Sequence, residues 1–423
     1  MEKIKTLRGF RDIYGDEVKR LRHIETVSRK YFELFGYREI ITPVLENTGL
    51  FIRSIGDTTD IVEKEMFTFK DLGGESITLR PEATAGIVRA YLETGMFAKE
   101  RISKLFSIGP MFRHERPQKG RFREFRQIDV EVFGIEDAII DAELIWMASL
   151  ILKDIGLEKY VIEVNSVGCP ECRRNFKNIV VDYFEAKEEG LCDDCKRRLH
   201  RNPLRIFDCK NAHCKEIAAS SPLLFDYLCD PCRAHFNGFL EHLNTLKLQV
   251  NIEKRLVRGL DYYTRTVFEF ISNELGAQNA FLAGGRYNNL VEAIGGPSVP
   301  GIGFAIGMDR LAMLISEPAC EKTPQFFFAY VGDRAGVLIM PFMEQFIEKG
   351  LKLSYLPQAK SLKSQMRYAD ALKADYVLIV GDDEIEKGMV IVRDMAEGKQ
   401  FTIPLDIPTL VQNLRDFLKN NHL

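Results

Sequence analysis

One stretch of the chain, residues 112–133, combines the pattern of a β-strand with charges at positions that a strand buries. Its last part, Ile128-Asp129-Val130-Glu131-Val132, alternates apolar and acidic residues, which is typical of a half-buried strand. Before it, Pro117 and Gly120 interrupt an arginine-rich run, so the sequence predicts a hairpin with a basic loop. A charge run is usually a solvated surface. Charges that face inward are costly unless they are paired or bind a ligand, and the hairpin therefore predicts a site.

The composition is that of a globular protein with more than one domain. The chain has 423 residues, 46% of them hydrophobic and 28% charged, and a net charge of −3. This balance argues against a bulk binder of polyanions, although local basic loops can still contact nucleic acid. No apolar run is long enough to span a membrane, and the first residues lack the apolar region of a secretory signal. We therefore expect a cytoplasmic protein without a membrane partner.

Helix and strand patterns divide the chain near residue 325. Residues 16–35 have the spacing of an amphipathic helix, and residues 38–46 predict a strand that Pro43 restricts to a sheet edge or a subunit seam. After a linker-like segment, a β-α-β-α-β order predicts a small α/β domain. We expect one domain over 1–325 and a second over 326–423.

Cysteines are concentrated in the segment 169–245, which is rich in charged helical patterns and has the character of an insertion. Eight of the nine cysteines lie there: Cys169, Cys172, Cys192, Cys195, Cys209, Cys214, Cys229 and Cys232. In a cytosolic chain, paired Cys-x-x-Cys units indicate metal more often than disulfides, and eight thiols could supply two tetrahedral zinc sites. The alternative is a set of reduced, structurally inert thiols.

Several arginines occupy unusual places in or beside the predicted strands: Arg80, Arg113, Arg121, Arg258, Arg286 and Arg310. The arginine fork donates two parallel hydrogen bonds to a phosphate or carboxylate. Arg310 begins a predicted helix after the glycine-rich strand 301–307, where the helix N-terminus also favours an anion and the glycines leave room for a ligand. No P-loop or Rossmann fingerprint occurs, so any nucleotide would be bound by a different fold.

Motifs in a fixed order along the chain carry a family resemblance. Residues 112–127 resemble the second signature motif of class II aminoacyl-tRNA synthetases, residues 301–311 the third, and residues 16–46 the first, dimer-forming motif. The stretches RGLDYYT (258–264), GGRYN (284–288) and TLRPEATAG (78–86) resemble motifs of the histidyl-tRNA synthetase family. The resemblance implies an α+β fold: a class II antiparallel sheet flanked by helices, a helical insertion that faces the tRNA acceptor stem, and a C-terminal α/β anticodon-binding domain.

The resemblance also implies ATP as a substrate, with Mg²⁺. Arg113 and Arg258 would be the catalytic residues that contact the α-phosphate from opposite sides. Arg310 would contact the γ-phosphate, and Arg121 would be a further ATP contact.

For the amino acid, the resemblance implies recognition by hydrogen bonds. Glu131 would accept from one imidazole nitrogen of L-histidine and the hydroxyl of Tyr263 would meet the other. The remaining implied histidine-binding residues are Glu82, Ala83, Thr84, Gln127 and Tyr262. Taken singly, Glu131 could instead be a salt-bridged strand carboxylate, and the two tyrosines could simply pack.

The implied partners are tRNA(His), with Arg116 and Gln118 contacting its acceptor end, and a second copy of the chain in a homodimer. The resemblance implies a ligase that makes histidyl-adenylate and transfers histidine to the tRNA. A histidine-sensing regulatory paralogue and a free-standing amino-acid ligase are the alternatives, which the intact motifs and the C-terminal domain disfavour. Asn288 departs from the family, which usually has Asp there, and the cysteines are not a general family feature.

Overall fold

The computed structural model describes residues 3–56, 59–201, 203–207, 209, 211–276, 279–316, 325–357 and 361–420. They belong to two units, residues 1–318 and residues 319–423.

The first unit alternates strands and helices. Its strands are β1 (Arg38–Glu39), β2 (Leu45–Asn47), β3 (Phe67–Lys70), β4 (Ser76–Leu79), β5 (Ser103–Phe112), β6 (Glu124–Phe133), β7 (Val161–Ser166), β8 (Asn251–Ile252), β9 (Thr264–Ile271), β10 (Ala280–Arg286) and β11 (Gly301–Gly307). Its helices are α1 (Asp16–Leu34), α2 (Thr48–Ile55), α3 (Thr84–Glu93), α4 (Met96–Lys99), α5 (Ile139–Asp154), α6 (Pro170–Glu185), α7 (Asp193–Arg201), α8 (Ala212–Ala219), α9 (Asp230–Thr245), α10 (Leu290–Ala293) and α11 (Met308–Leu311).

Within the described residues, a sheet of eight strands has the order β1-β5-β6-β11-β10-β9-β7-β8. Its inner pairs are antiparallel, whereas the short edge strands β1 and β8 run parallel to their neighbours. A smaller antiparallel sheet has the order β2-β4-β3. The expected antiparallel sheet flanked by helices is confirmed.

The predicted hairpin is formed by β5 and β6, which pair from Ser103 opposite Phe133 to Phe112 opposite Glu124. Successive side chains of a strand point to opposite faces. Val130 and Val132 accordingly join the main hydrophobic core, whereas Asp129 and Glu131 line a cavity on the other face. The acidic alternation in the sequence therefore marks the side of the sheet that carries the cavity.

The main core lies between the sheet and helices α1, α5 and α9. Helix α1 buries Leu21, Ile24 and Phe32, which share one face at helical spacing, and this confirms the helix expected over 16–35. The single strand expected over 38–46 is wrong. It is split into β1, which pairs with β5, and β2, which pairs with β4, because Pro43 has no N–H to continue a ladder and the chain changes sheets there.

The insertion consists of α6 to α9 and short 3₁₀ turns. It has a core of its own, in which Phe176, Phe184 and Leu199 pack with buried cysteines. The expected helical character of this segment is confirmed.

The second unit is a smaller α/β structure. Its elements are β12 (Gln325–Tyr330), α12 (Asp333–Val337), α13 (Ile339–Glu348), β13 (Lys352–Tyr355), α14 (Leu362–Ala371), β14 (Tyr376–Val380), α15 (Asp382–Lys387), β15 (Met389–Asp394), β16 (Gln400–Pro404) and α16 (Leu410–Asn420). The sheet order is β13-β12-β14-β15-β16, parallel among the first three strands and antiparallel in the rest. All five residues of β14 are buried, as expected for a strand covered on both faces. Nowhere in the described ranges of either unit is a helix long and apolar enough to cross a membrane.

Candidate active site

A cavity of about 510 Å³ lies on the face of the antiparallel sheet that carries Asp129 and Glu131. Strands β6, β9, β10 and β11 contribute to its lining, together with the loop after β5 and the start of α11. Most of the site residues expected from the resemblance line it: Glu82, Thr84, Arg113, Arg121, Gln127, Glu131, Arg258, Tyr262, Tyr263 and Arg310. The structure thus brings together side chains that are far apart in the sequence, including Arg113 and Arg258.

Three expected residues lie elsewhere. Ala83 is fully buried in a neighbouring hydrophobic cluster and does not line the cavity. Arg116 and Gln118 are exposed on the loop between β5 and β6, where Gln118 forms a tight turn with Arg121 through backbone hydrogen bonds of 2.9 and 3.3 Å. Ala83 therefore does not line the cavity, although it was expected among the histidine-binding residues. Arg116 and Gln118 were expected to contact the tRNA acceptor end, and that expectation stays a prediction.

Glu131 is held by two hydroxyl groups. Its side chain is 1% exposed, Oε1 accepts a hydrogen bond of 2.6 Å from Oγ1 of Thr84, and Oε2 accepts one from the hydroxyl of Tyr287. Gly303 faces Glu131 on β11, and a Cβ there would lie 1.9 Å from Oε2. Gly303 thus makes room for the carboxylate of Glu131, and Gly301 makes room for the ring of Tyr287. The sequence had suggested that these glycines leave room for a ligand. Gly303 and Gly307 both line the cavity.

Two further acids share this part of the cavity. Glu82 accepts backbone hydrogen bonds of 3.1 and 2.8 Å from Thr84 and Ala85 at the start of α3, where the helix N-terminus favours a negative charge. Asp129 is 1% exposed, and its Oδ2 has no hydrogen-bond partner among the described residues. Oε1 of Gln127 is buried without a partner in the same range of residues. These atoms are acceptors ready for a ligand that brings N–H groups.

Burial raises the pKa of all three carboxyl groups, because it disfavours their charged forms. For Asp129, burial and the nearby charge of Glu82 raise the pKa to about 8. Burial also raises the pKa of Glu131 well above its usual range, against the opposing effect of the hydroxyls of Thr84 and Tyr287. Burial raises the pKa of Glu82, with the backbone N–H of Ala85 acting in the opposite direction. A ligand that brings positive charge would favour the charged forms of these carboxyl groups. We call these three residues the acidic cluster.

The other charged part of the cavity is basic. Nε of Arg113 donates to the carbonyl of Pro81 at 2.8 Å, and its guanidinium lies 5.4 Å from the ring centroid of Phe125. Burial lowers the pKa of Arg310, and the positive charges of Arg121 and Arg113 lower it further. Three guanidinium groups so close together favour a ligand with several negative charges. We call Arg113, Arg121 and Arg310 the basic cluster.

Arg258 is oriented by a strand carboxylate. Its Nη1 forms an ion pair with Oε1 of Glu269 on β9, and its guanidinium lies 5.9 Å from the ring centroid of Tyr263. Both Arg258 and Glu269 line the cavity. The buried Nε of Arg258 has no hydrogen-bond partner in the part of the chain that the structure describes. Arg258 therefore presents donors to the cavity.

Reasoning from the sequence missed Tyr287 and Glu269. Tyr287 belongs to the GGRYN stretch, but only the folded structure reveals its contact with Glu131, which is 156 positions away in the chain. Glu269 lies in the strand pattern of β9, where a partly buried carboxylate has no distinctive signal.

Two arginines of the sequence analysis stabilise the fold and do not line the cavity. Arg80 donates to the carbonyls of Thr42 and Pro110 at 3.0 and 2.9 Å. Arg286 is fully buried and pairs with Asp141 at 2.6 Å, while its other donors reach backbone carbonyls. Asn288 also lies outside the cavity lining, and its backbone N–H donates to Oγ1 of Thr264 at 3.2 Å.

The cysteines of the insertion form two groups that could each hold a metal ion. One group is Cys169, Cys172, Cys229 and Cys232, and the other is Cys192, Cys195, Cys209 and Cys214. Within each group the sulfur atoms lie within 4.8 Å of one another. The geometry therefore joins two Cys-x-x-Cys units in the first group, and in the second joins the unit at 192–195 with Cys209 and Cys214.

Comparison with known proteins agrees with the geometry. A family model described as histidyl-tRNA synthetase matches residues 9–171 and 232–311, and one described as an anticodon binding domain matches residues 327–414. The histidine–tRNA ligase of Geobacter sulfurreducens is 45% identical over 402 residues, which cover 95% of this chain and 97% of the relative. That of Maridesulfovibrio salexigens is 47% identical over 409 residues, with 96% and 99% covered. The crystal structure of apo S. aureus histidyl-tRNA synthetase superposes with a TM-score of 0.80 at 33% identity, covering 97% of this chain and 99% of that one.

Proposed function

This chain belongs to the histidyl-tRNA synthetase family and ligates histidine to tRNA, and we propose that the cavity on the antiparallel sheet is where ATP activates the amino acid. The observation that carries this proposal is the pairing of an acidic cluster with a basic cluster in one cavity of about 510 Å³. The ammonium and ring N–H groups of an amino acid and the phosphates of a nucleotide could bind side by side there.

Histidine binds to the acidic part of the cavity in this proposal. Glu131 accepts a hydrogen bond from one imidazole nitrogen, and the hydroxyl of Tyr263 meets the other. Glu82, Thr84 and Gln127 hold the α-amino group, with Tyr262 beside Glu82, whose Oε2 accepts from the tyrosine hydroxyl at 3.5 Å. Buried polar groups reject analogues that lack the matching N–H groups far better than an apolar pocket does, because those analogues leave the groups unpaired.

ATP binds to the basic part. The carboxylate of histidine attacks the α-phosphorus, the bond to pyrophosphate breaks, and histidyl-adenylate forms. Arg113 and Arg258 stabilise the negative charge that develops on the α-phosphate, while Arg310 and Arg121 hold the outer phosphates. The protein contributes position and electrostatic stabilisation to such a step, since phosphoryl chemistry needs little else.

Mg²⁺ accompanies the nucleotide in this proposal, because it prefers oxygen ligands and commonly bridges phosphates. Glu65 and Glu115 line the cavity near Arg113 and Arg121 and would offer carboxylate oxygens to the ion. Burial and the nearby charge of Glu115 raise the pKa of Glu65, and a divalent cation would favour its charged form. The ion would neutralise charge on the outer phosphates.

In the second step, the 3′-hydroxyl of the terminal adenosine of tRNA(His) takes the histidyl group. A phosphate oxygen of the adenylate accepts the proton and AMP leaves. The exposed loop with Arg116 and Gln118 contacts the acceptor end, and the insertion faces the acceptor stem. The second unit, over 326–423, binds the anticodon, which the match of residues 327–414 to an anticodon-binding family supports.

The remaining parts of the proposal concern assembly. The chain acts as a cytoplasmic homodimer, for which the two-residue edge strand β1 and the exposed apolar side chain of Ile41, 83% accessible, offer a surface. The cysteines of the insertion bind Zn²⁺ as a structural ion.

One experiment separates the possible activities. The full chain is incubated with labelled histidine, ATP and total tRNA, and both ATP–pyrophosphate exchange and labelled tRNA are measured. We expect histidine-dependent exchange and charged tRNA. A regulatory histidine sensor would bind histidine without exchange, and a free-standing ligase would show exchange without charging, so either result would overturn the proposal.

A further inference from the structure

We infer that the insertion holds two Zn²⁺ ions, each bound by four cysteine thiolates from separate parts of the chain. Site 1 consists of Cys169, Cys172, Cys229 and Cys232, and site 2 of Cys192, Cys195, Cys209 and Cys214. The family model for histidyl-tRNA synthetase matches up to residue 171 and again from residue 232, so six of these eight thiols lie between its two matched segments.

The spacing of the sulfur atoms fits one tetrahedral ion in each site. A zinc ion with Zn–S bonds of about 2.3 Å places its sulfurs roughly 3.8 Å apart, at the corners of a tetrahedron. In site 1, Sγ of Cys169 lies 3.7 Å from that of Cys172 and 3.9 Å from that of Cys229. In site 2, the sulfurs of Cys192 and Cys209 are 3.8 Å apart. A disulfide would need a separation of about 2 Å.

Backbone N–H groups already point at the sulfurs. The N–H of Cys229 donates to Sγ of Cys172, and the N–H of Cys192 donates to Sγ of Cys214, each at 3.2 Å. Cys169 and Cys229 are the N-cap residues of the 16-residue helices α6 and α9, and the positive end of each helix favours a thiolate. Each of these contacts favours the thiolate form of the sulfur that it reaches.

Each site has a guanidinium group close by. Arg173 directly follows Cys172 in α6, and Arg198 lies three positions after Cys195 in α7, where it also pairs with Asp60 at 3.0 Å. Four thiolates around one Zn²⁺ leave two net negative charges, which a nearby arginine balances. Beside neutral thiols, an arginine in the same position would have no negative charge to balance.

The ligand set selects the metal and its role. Four soft sulfur ligands in a tetrahedron favour zinc, and a closed set without an open position is typical of a structural site. An iron–sulfur cluster would place several metal and sulfide atoms between the thiolates and requires a wider cage than sulfurs within 4.8 Å provide.

Site 1 links the N-terminus of α6 to the N-terminus of α9, which are the first and last helices of the insertion. The core of the insertion contains five buried cysteines, and Tyr263 of the cavity packs in the same hydrophobic cluster. Zinc would therefore order the insertion and support the wall of the histidine pocket from behind.

The test is the zinc content of the full chain, purified without chelators and measured by elemental mass spectrometry. We expect two zinc ions per chain in the wild type, and one in each of the double variants Cys229→Ser/Cys232→Ser and Cys192→Ser/Cys195→Ser. Cys320→Ser is the matched control and keeps two, because Cys320, outside the described residues, belongs to neither site. Fewer than two zinc ions per wild-type chain, or iron in their place, overturns the inference.

A second measurement needs no variant. Titration of wild-type thiols with a mercurial reagent should release both ions as eight thiols react. Zinc that stays bound after those thiols have reacted contradicts the assignment. Because both readouts are bound metal, their result is independent of whether the cavity activates histidine.

Discussion

Replacing Glu131 by glutamine tests the acidic cluster with almost no change in shape. In the structure this carboxylate accepts hydrogen bonds from the hydroxyls of Thr84 and Tyr287 and is 1% exposed. The proposed imidazole N–H would be a third donor to the same group. Glu131→Gln removes the charge and turns one acceptor into a donor, so the hydroxyls and the ligand can no longer all donate to it.

The size of the effect follows from the kind of bond that is lost. A hydrogen bond to a charged group contributes about 1.5–3 kcal/mol. Since 1.4 kcal/mol corresponds to a factor of ten, kcat/KM for histidine should fall roughly 10- to 100-fold. Because burial raises the pKa of Glu131, its charged form is costly in the folded protein, and the neutral variant should be no less stable than the wild type.

The assay is histidine-dependent ATP–pyrophosphate exchange over a range of histidine concentrations, with KM for ATP measured in parallel. Glu163→Gln is the control, since Glu163 is also a partly buried strand carboxylate but lies on β7, outside the cavity lining. A change of less than about threefold in kcat/KM for histidine in Glu131→Gln would remove Glu131 from the binding site. A similar loss in Glu163→Gln would show that the effect is not local.

Three further predictions concern stability and packing. The pKa of Asp129, about 8 in the folded protein, lies above its ordinary value of 3.8, so its contribution to stability is fully present below about pH 4 and is lost as the pH rises to 8. Denaturant unfolding of Asp129→Asn between these pH values should show a smaller decline than the wild type. Arg286→Ala removes the guanidinium partner of the buried Asp141, which keeps only Nε2 of His235 at 2.8 Å, and should cost about 3–5 kcal/mol of unfolding free energy, whereas the exposed Arg255→Ala should cost less than about 0.5 kcal/mol. Gly303→Ala places a Cβ 1.9 Å from Oε2 of Glu131 and 2.3 Å from the backbone carbonyl oxygen of Val130, so it should displace both the carboxylate and β6. KM for histidine should therefore rise more than KM for ATP, and equal changes in both would contradict the packing argument.

Much of the fold around the site was predictable from local pattern. The alternation over 128–132 identified both the strand β6 and the face that carries the acids, because side-chain direction along a strand depends only on position. The break in the strand expected over 38–46 was not predictable in the same way. It depends on which distant strands, β5 and β4, pair with each half.

The arginines show a similar limit within the site. Arg258 and Arg286 both stand beside strand patterns, yet one lines the cavity and the other is neutralised by Asp141 inside the fold. The sequence distinguished Arg258 from Arg286 only through the family resemblance of its motifs. Tertiary packing, which spacing alone does not encode, produces the contacts of Tyr287 and Glu269. It also brings together Cys172 and Cys229 of site 1, which are 57 positions apart in the chain.

The energetics of the cavity connect its fold to its function. Three buried carboxyl groups with raised pKa values are unfavourable in the free protein, and nearby guanidinium groups repel one another. Bound histidine and ATP would compensate both clusters. The protein would thus hold ionisable groups in fixed positions, and its substrates would pair with these groups more completely than water does.

The central claim is that Arg258 and Arg113 act on one α-phosphate, and Arg258→Ala tests it most directly. Histidine-dependent ATP–pyrophosphate exchange should fall by roughly 10³-fold or more, as expected for the loss of an arginine that stabilises phosphoryl transfer. The unfolding midpoint should stay near that of the wild type, and Arg255→Ala should retain full exchange. Near-normal exchange by folded Arg258→Ala would contradict the account.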